Sequence, residues 1–264
     1  MPSVMWKELT AEDLRAKAAA NAIVVLPVAS MEQHGPHLPV GVDTFLVEAV
    51  CKGGAEIAVK DVPVVVAPTL WCGMAEHHMA FGGTFTFDIP TYQAVLRSFL
   101  KSIERLGFKR VFIVNGHGGN IAALTVAVNH YFETTGRRVF LVQWWDLAAD
   151  ALVDVEGPMI HAEEAETSLA IALGQRVEMD LATRDAWDRG AAVREAGFQW
   201  TSFGQYGMRH AGPKVVVPMD MLRDITESGV VGDATRASAE TGERIVDAIV
   251  PRIVQVCREM AGKE

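Results

Sequence analysis

Within residues 31–43 the stretch MEQHGPHLPVGVD places two carboxylates, Glu32 and Asp43, and two imidazoles, His34 and His37, directly after an apolar run at 22–29. Carboxylate oxygens and imidazole nitrogens at that density, beside a buried strand, are the donor types that hold Zn²⁺, Mn²⁺ or Fe²⁺. In an extended chain residues two apart share a face, so Glu32 and His34 can reach one locus. Gly35, Pro36, Pro39 and Gly41 can then turn the chain back and bring Asp43 to the front of a helix starting near Thr44. There Asp43 reads either as the helix cap or as a further donor, and the Glu-x-His ahead of it favours the donor. Two later segments extend the set: NGHGGN at 115–120 and HAEEAETS at 161–168. The chain reads as a metal-dependent hydrolase.

His117 follows an apolar run at 110–115, and Gly118, Gly119 and Asn120 lead into a helical pattern. In open parallel sheets ligands gather at the carboxyl ends of the strands, where both this segment and the one after residue 29 would lie. The same glycines also fit a phosphate cradle at a helix N-terminus or a plain tight turn. The full GxGxxG or Walker pattern is absent, and the ligand reading of His117 is favoured. Glu163, Glu164 and Glu166 stand where acidic side chains suit a helix dipole. That accounts for one or two of them, but not for His161 beside them. Among the other histidines, His37 is expected to support a ligand or end the turn, and His77 to face the cleft. His78, His130 and His210 read as ordinary polar or packing residues. Trp144 and Trp145 read either as a stacking surface for a flat substrate or as core.

Four β-branched apolar runs, at 22–29, 62–67, 110–115 and 139–144, are continuous rather than alternating, as parallel strands covered on both faces require. Helical patterns fall at 10–20, 44–59, 91–106, 120–135, 163–173 and 233–261, the last carrying Pro251, which should kink or split it. This alternation predicts an α/β fold, a three-layer α/β/α sandwich around a mainly parallel sheet, in one domain over 1–264. Residues 177–232 read as irregular structure or a lid.

The 264 residues carry a net charge of −9 and no Lys/Arg-rich run, which argues against nucleic-acid or anionic-membrane partners. Three scattered cysteines without CxxC spacing suit a reducing cytoplasm. No apolar run is long enough to span a bilayer, and no signal peptide is expected at the start.

The segments PVASMEQHGPHLP with Asp43, Glu76-His77, Gly82-Gly83-Thr84, NGHGGN and HAEEAETS occur in an order that resembles the creatininase (creatinine amidohydrolase) family over about residues 22–175. The resemblance implies a two-metal centre, hydrolysis of a carbon–nitrogen bond, often in a cyclic amide, and a ring-like homo-oligomer, commonly a hexamer. Carried over, Glu32, Asp43 and His117 would hold one divalent ion and His34, Asp43 and Glu166 the other, with Asp43 shared. Creatininase proper has a glutamate where this chain has Gly119, which shifts that role to Glu166, and its HAG is His161-Ala162-Glu163 here. Three carboxylates set −3 against +4 from two divalent ions, and a bridging hydroxide would bring the sum to zero. Hydroxide attack on a polarised carbonyl, with His161 protonating the leaving nitrogen, is the expected chemistry. Related activities on a formamide, a peptide-like bond or a ring ketone, and a non-catalytic binding protein, are the alternatives.

Overall fold

The computed structural model of the chain describes residues 3–157, 159–186 and 221–262. Trp187, Trp200, Phe203, Gly204, Gly207 and His210, and with them most of the expected lid, lie outside the described residues.

The sheet comprises β1 (Ile23–Val28), β2 (Val64–Val66), β3 (Arg110–Asn115) and β4 (Val139–Gln143) in the order β2-β1-β3-β4. All its pairings are parallel. Every residue of β1 is buried, which explains its unbroken apolar sequence. Side chains alternate between two cores: Ile23 and Val25 join one, Val24, Leu26 and Val28 the other. The second core is closed by α1 (Ala11–Ala19), α3 (Ile89–Arg105) and α4 (Ile121–Thr135), through residues such as Leu14, Leu96, Leu100 and Leu124. The first is closed by α2 (Val42–Ala58), α6 (Glu164–Ala172) and α7 (Ala239–Ala261), through Val47, Val50, Leu169, Ile245 and Ile249. These layers make the expected α/β/α sandwich. Among the described residues no helix is long and apolar enough to cross a membrane.

The structure departs most from the sequence reading at three points. The strand expected to reach residue 144 ends at Gln143, and Trp144–Leu147 forms a single helical turn, α5. Asp233 does not open the last helix; it ends a two-residue strand, β6 (Gly232–Asp233), antiparallel to β5 (Arg184–Asp185), and Ser238 caps α7. Pro251 does not split α7. Its own position is exposed, so the carbonyl it leaves unpaired can reach water, while Ile245, Ile249, Ile253 and Val254 hold the buried face together on both sides of it.

The register decides where the chemistry-bearing segments emerge. Val28 pairs with Asn115, and the Gly116 N–H donates to the Val28 carbonyl at 2.8 Å. The chain therefore leaves β1 and β3 side by side, at the same edge of the sheet.

Candidate metal centre

The five donors come from four separate stretches of the chain. Glu32 and His34 lie on the segment leaving β1, Asp43 in the first turn of α2, His117 on the segment leaving β3, and Glu166 in the first turn of α6. Oδ1 of Asp43 lies 3.1 Å from Nε2 of His34 and its Oδ2 3.3 Å from Nδ1 of His117. Glu32 Oε1 is 3.1 Å from the same Nδ1 of His117, and Glu166 Oε2 is 3.8 Å from His34 Nε2. Asp43 does not cap α2, whose N-cap is Gly41; its carboxylate is turned inward, 2% exposed.

The three glutamates at the start of α6 divide three tasks. Glu163 is the N-cap, accepting from the N–H groups of Ala165 at 2.8 Å and Glu166 at 3.3 Å. Glu164 pairs with Arg236 at 3.0 Å. Glu166 turns toward His34, with Oε2 accepting from the Ala162 N–H at 2.6 Å. Ala162 holds a left-handed φ of 51° to make that contact.

The imidazoles are aimed by backbone acceptors. His34 Nδ1 donates to the Glu32 carbonyl at 3.1 Å, leaving Nε2 for Asp43 and Glu166. His117 Nε2 donates to the Met74 carbonyl at 3.1 Å, leaving Nδ1 for Glu32 and Asp43. This outer bond is how proteins orient metal-binding histidines. His161 Nε2 lies 2.6 Å from the Gln33 carbonyl, and its Nδ1 is 3.6 Å from Glu32 Oε1.

Burial and charge set the protonation. Burial disfavours a charged His34, yet Asp43, Glu166 and Glu32 outweigh it and raise its pKa to about 10. His117 is likewise raised well above its usual value against burial, by Glu32 and Asp43. Burial would raise the Asp43 carboxyl, but His34 and His117 hold it well below the ordinary range. Glu166 goes up to about 7 through burial, with His34 opposing and Asp43 adding to the rise, and Glu163 to about 8 through burial and Glu166. His161 and His78 are kept neutral, chiefly by burial.

Both Glu32 oxygens, Oδ2 of Asp43 and Nε2 of His34 are buried without a hydrogen-bond partner among the described residues. Leaving such groups unsatisfied costs about 1–3 kcal/mol each, and their convergence is what a divalent cation would offset. Among the described residues, three sets have donor atoms within 4.8 Å of one another: Glu32, Asp43, His117; His34, Asp43, Glu166; and Glu32, His34, His161. The first two share Asp43, and oxygen with imidazole donors and no thiolate fit Zn²⁺ or Mn²⁺.

Gly119 explains the departure noted in the sequence. A Cβ there would lie 2.3 Å from the Met74 carbonyl and 2.4 Å from His117 Nε2. The bond that orients His117 occupies the space a side chain at 119 would need.

Other expected site residues fall differently. His37 bonds to Thr167 Oγ1 at 2.9 Å rather than to a donor of the cluster, and burial beside His34 lowers it to about 4. His77 stacks on His117 with ring centroids 5.7 Å apart. Trp144, 3% exposed, belongs to the core with α2, α6 and α7, and Trp145 packs against that core, half-buried. His78 is a correction. Read as an ordinary polar or packing residue, it is buried within the donor cluster itself, with Nε2 3.2 Å from Glu32 Oε1 and its ring 4.4 Å from that of His161. The 3₁₀ turn Glu76–Phe81 points His78 inward, a direction that helix or strand periodicity does not encode. Gln33, between two donors, was not singled out by its type, yet it touches both His78 and His161 at 3.1 Å.

The family model described as Creatininase, creatinine amidohydrolase, matches residues 7–257. The chain belongs to the creatininase family. Its relatives are hydrolases of several kinds. Creatinine amidohydrolase of Pseudomonas putida is 28% identical over 97% of both chains. The mycofactocin precursor peptide peptidase of Mycolicibacterium smegmatis is 32% identical over 86% of this chain and 81% of that protein. The 3-dehydro-scyllo-inosose hydrolase of Thermotoga maritima is 26% identical over 97% of this chain and 83% of that protein. A solved structure of a manganese creatininase superposes with a TM-score of 0.78 at 26% identity, covering 99% of this chain and 100% of that one. A mutant creatininase of Zn-Zn type superposes with a TM-score of 0.75 at 26% identity, covering all of both chains. This creatininase-family chain is therefore a hydrolase with the α/β/α fold of those structures.

Proposed function

We propose that the chain hydrolyses a carbon–nitrogen bond of a small cyclic amide at a centre of two divalent ions. The observation that carries this reading is the sharing of Asp43 by two donor triads, with unpaired buried oxygens on both Glu32 and Asp43. Glu32, Asp43 and His117 would hold one ion, and His34, Asp43 and Glu166 the other. Such ions, when bound, lower the pKa of water and polarise a carbonyl.

The protein's own contribution is orientation and proton handling. The Glu32 and Met74 carbonyls fix His34 and His117 so that each presents one nitrogen inward. His161 has its Nε2 engaged with the Gln33 carbonyl and turns Nδ1 inward. Neutral through burial, it would take a proton at Nδ1 before passing one to the leaving nitrogen, so it serves as base and then acid. His77, stacked on His117, and His37, bonded to Thr167 next to Glu166, would help to orient substrate.

A second reading, opening of a cyclic polyol ketone, is favoured by the likeness to the inosose hydrolase along nearly the whole chain. A panel of creatinine, hydantoins, lactams, formamides, short peptides and inososes, assayed with Mn²⁺ or Zn²⁺, separates the two. Turnover only of the ketones would overturn the amide reading. Work in the cytoplasm as a homo-oligomer, a hexamer on the family resemblance, completes the proposal.

A further inference from the structure

We propose that Gln33 is a positioning residue that fixes the tautomers of His78 and His161, and thereby which ring nitrogen each presents to Glu32. The inference rests on the reading of this cluster as the reactive centre, but its main test needs no substrate.

The orientation of the Gln33 amide follows from two partners that have only one role. The Gly35 N–H can only donate, so the atom 2.9 Å from it is Oε1. The Gly229 carbonyl can only accept, so the atom 3.1 Å from it is Nε2. One of the two amide protons goes to Gly229. The other has two candidates at 3.1 Å, Nδ1 of His78 and Nε2 of His161.

The backbone resolves the choice. His161 Nε2 lies 2.6 Å from the carbonyl of Gln33 itself, a pure acceptor, so that nitrogen carries a proton and cannot accept another. The remaining amide proton therefore goes to His78 Nδ1. In the neutral ring the His78 proton is then on Nε2, which stands 3.2 Å from Glu32 Oε1. The free lone pair of neutral His161 is on Nδ1, 3.6 Å from the same oxygen. One carboxylate oxygen thus faces an N–H dipole from one ring, outside hydrogen-bonding geometry, and a lone pair from the other. The first supports its negative charge, and the second leaves a proton acceptor facing the centre.

The amide is held by a distant loop. Gly229 has a φ of 89°, and a Cβ on it would lie 2.0 Å from Gln33 Oε1. That loop is pinned by Asp185, whose Oδ2 accepts from Thr226 Oγ1 at 2.7 Å, Ser228 Oγ at 2.8 Å, and the N–H groups of Ser228 at 2.9 Å and Glu227 at 3.0 Å. Val231, just beyond, pairs with the backbone of His161.

The test is a long-range ¹H–¹⁵N correlation spectrum of zinc-loaded protein labelled with ¹⁵N-histidine. His78 and His161 are both expected as Nε2–H tautomers with unprotonated Nδ1. Gln33→Glu puts an acceptor against His78 and should move its proton to Nδ1. That variant should also lower kcat about tenfold, with KM within about twofold and zinc content unchanged. A wild-type His78 protonated on Nδ1 overturns the proposal even if the variant does not fold, as does a folded variant whose His78 keeps its Nε2 proton. Loss of zinc from wild type would instead strike the reading of the cluster.

Discussion

Glu166 Oε2 stands 3.8 Å from His34 Nε2, which joins the first turn of α6 to the segment leaving β1 at the heart of the sandwich. Glu166→Gln keeps the shape and the bond from the Ala162 N–H while removing the charge. It should fold normally and lose at least about 100-fold in kcat, since even supporting groups around metal centres are worth 10–100-fold. A variant with full activity would remove Glu166 from the mechanism.

Asp43 belongs to both donor triads, so Asp43→Asn should lower metal content more than Glu166→Gln does. Metal analysis of the two purified variants decides this. Chelator treatment of the wild type should abolish turnover, and Mn²⁺ or Zn²⁺ should restore it. Undiminished activity after chelation to less than about one ion in ten chains would contradict any catalytic role for the ions.

His161→Ala should leave metal content near that of the wild type and reduce kcat by about 10²–10⁴, the usual span for a proton-transfer group. A large drop in bound metal would instead assign His161 to the third triad, with Glu32 and His34.

Gly119→Ala places a methyl group against the Met74 carbonyl and His117 Nε2. The cost should be about 1–3 kcal/mol, as for other overpacked sites, and His117 should lose its aim. Chemical denaturation together with metal affinity would measure both; an alanine that changes neither would mean the turn relaxes freely.

Acidity offers a further check. In the metal-free protein His34 titrates at about 10, above its unfolded value of 6.5. A group raised on folding contributes stability that is full below about 6.5 and lost as pH climbs through about 10. Metal binding has the opposite sense, because it must displace the protons on His34 and His117. Melting temperatures of metal-free protein should fall across that window, while zinc uptake should release protons, detectable by calorimetry in buffers of different ionisation enthalpy. Zinc uptake without proton release at neutral pH would contradict these protonation states.

The sequence was most legible where one periodicity governs. The apolar run at β1 reads as a doubly covered strand because all six residues are buried, and adjacent exits from β1 and β3 follow once the sheet is parallel. Glu32, His34, Asp43, His117 and Glu166 were visible as donor types, and the fold brings them together. His78 and Gln33 were not, because a 3₁₀ turn and an irregular strand exit set their directions. Trp144 was ambiguous for a related reason: the strand ends one residue before it, and its ring turns into the core. The last helix starts at Ala239 rather than at Asp233 because a short antiparallel pair with β5 competes for the residues ahead of Ser238.

Because the donors are spread over four separate stretches of the chain, a cation seated there would act as a fastener as well as a reagent. It would clip α2 and α6 to the two innermost strands, so loading should raise the unfolding temperature and stiffen the seam between sheet and helices. Starvation for metal would then cost the cell folded protein as well as turnover.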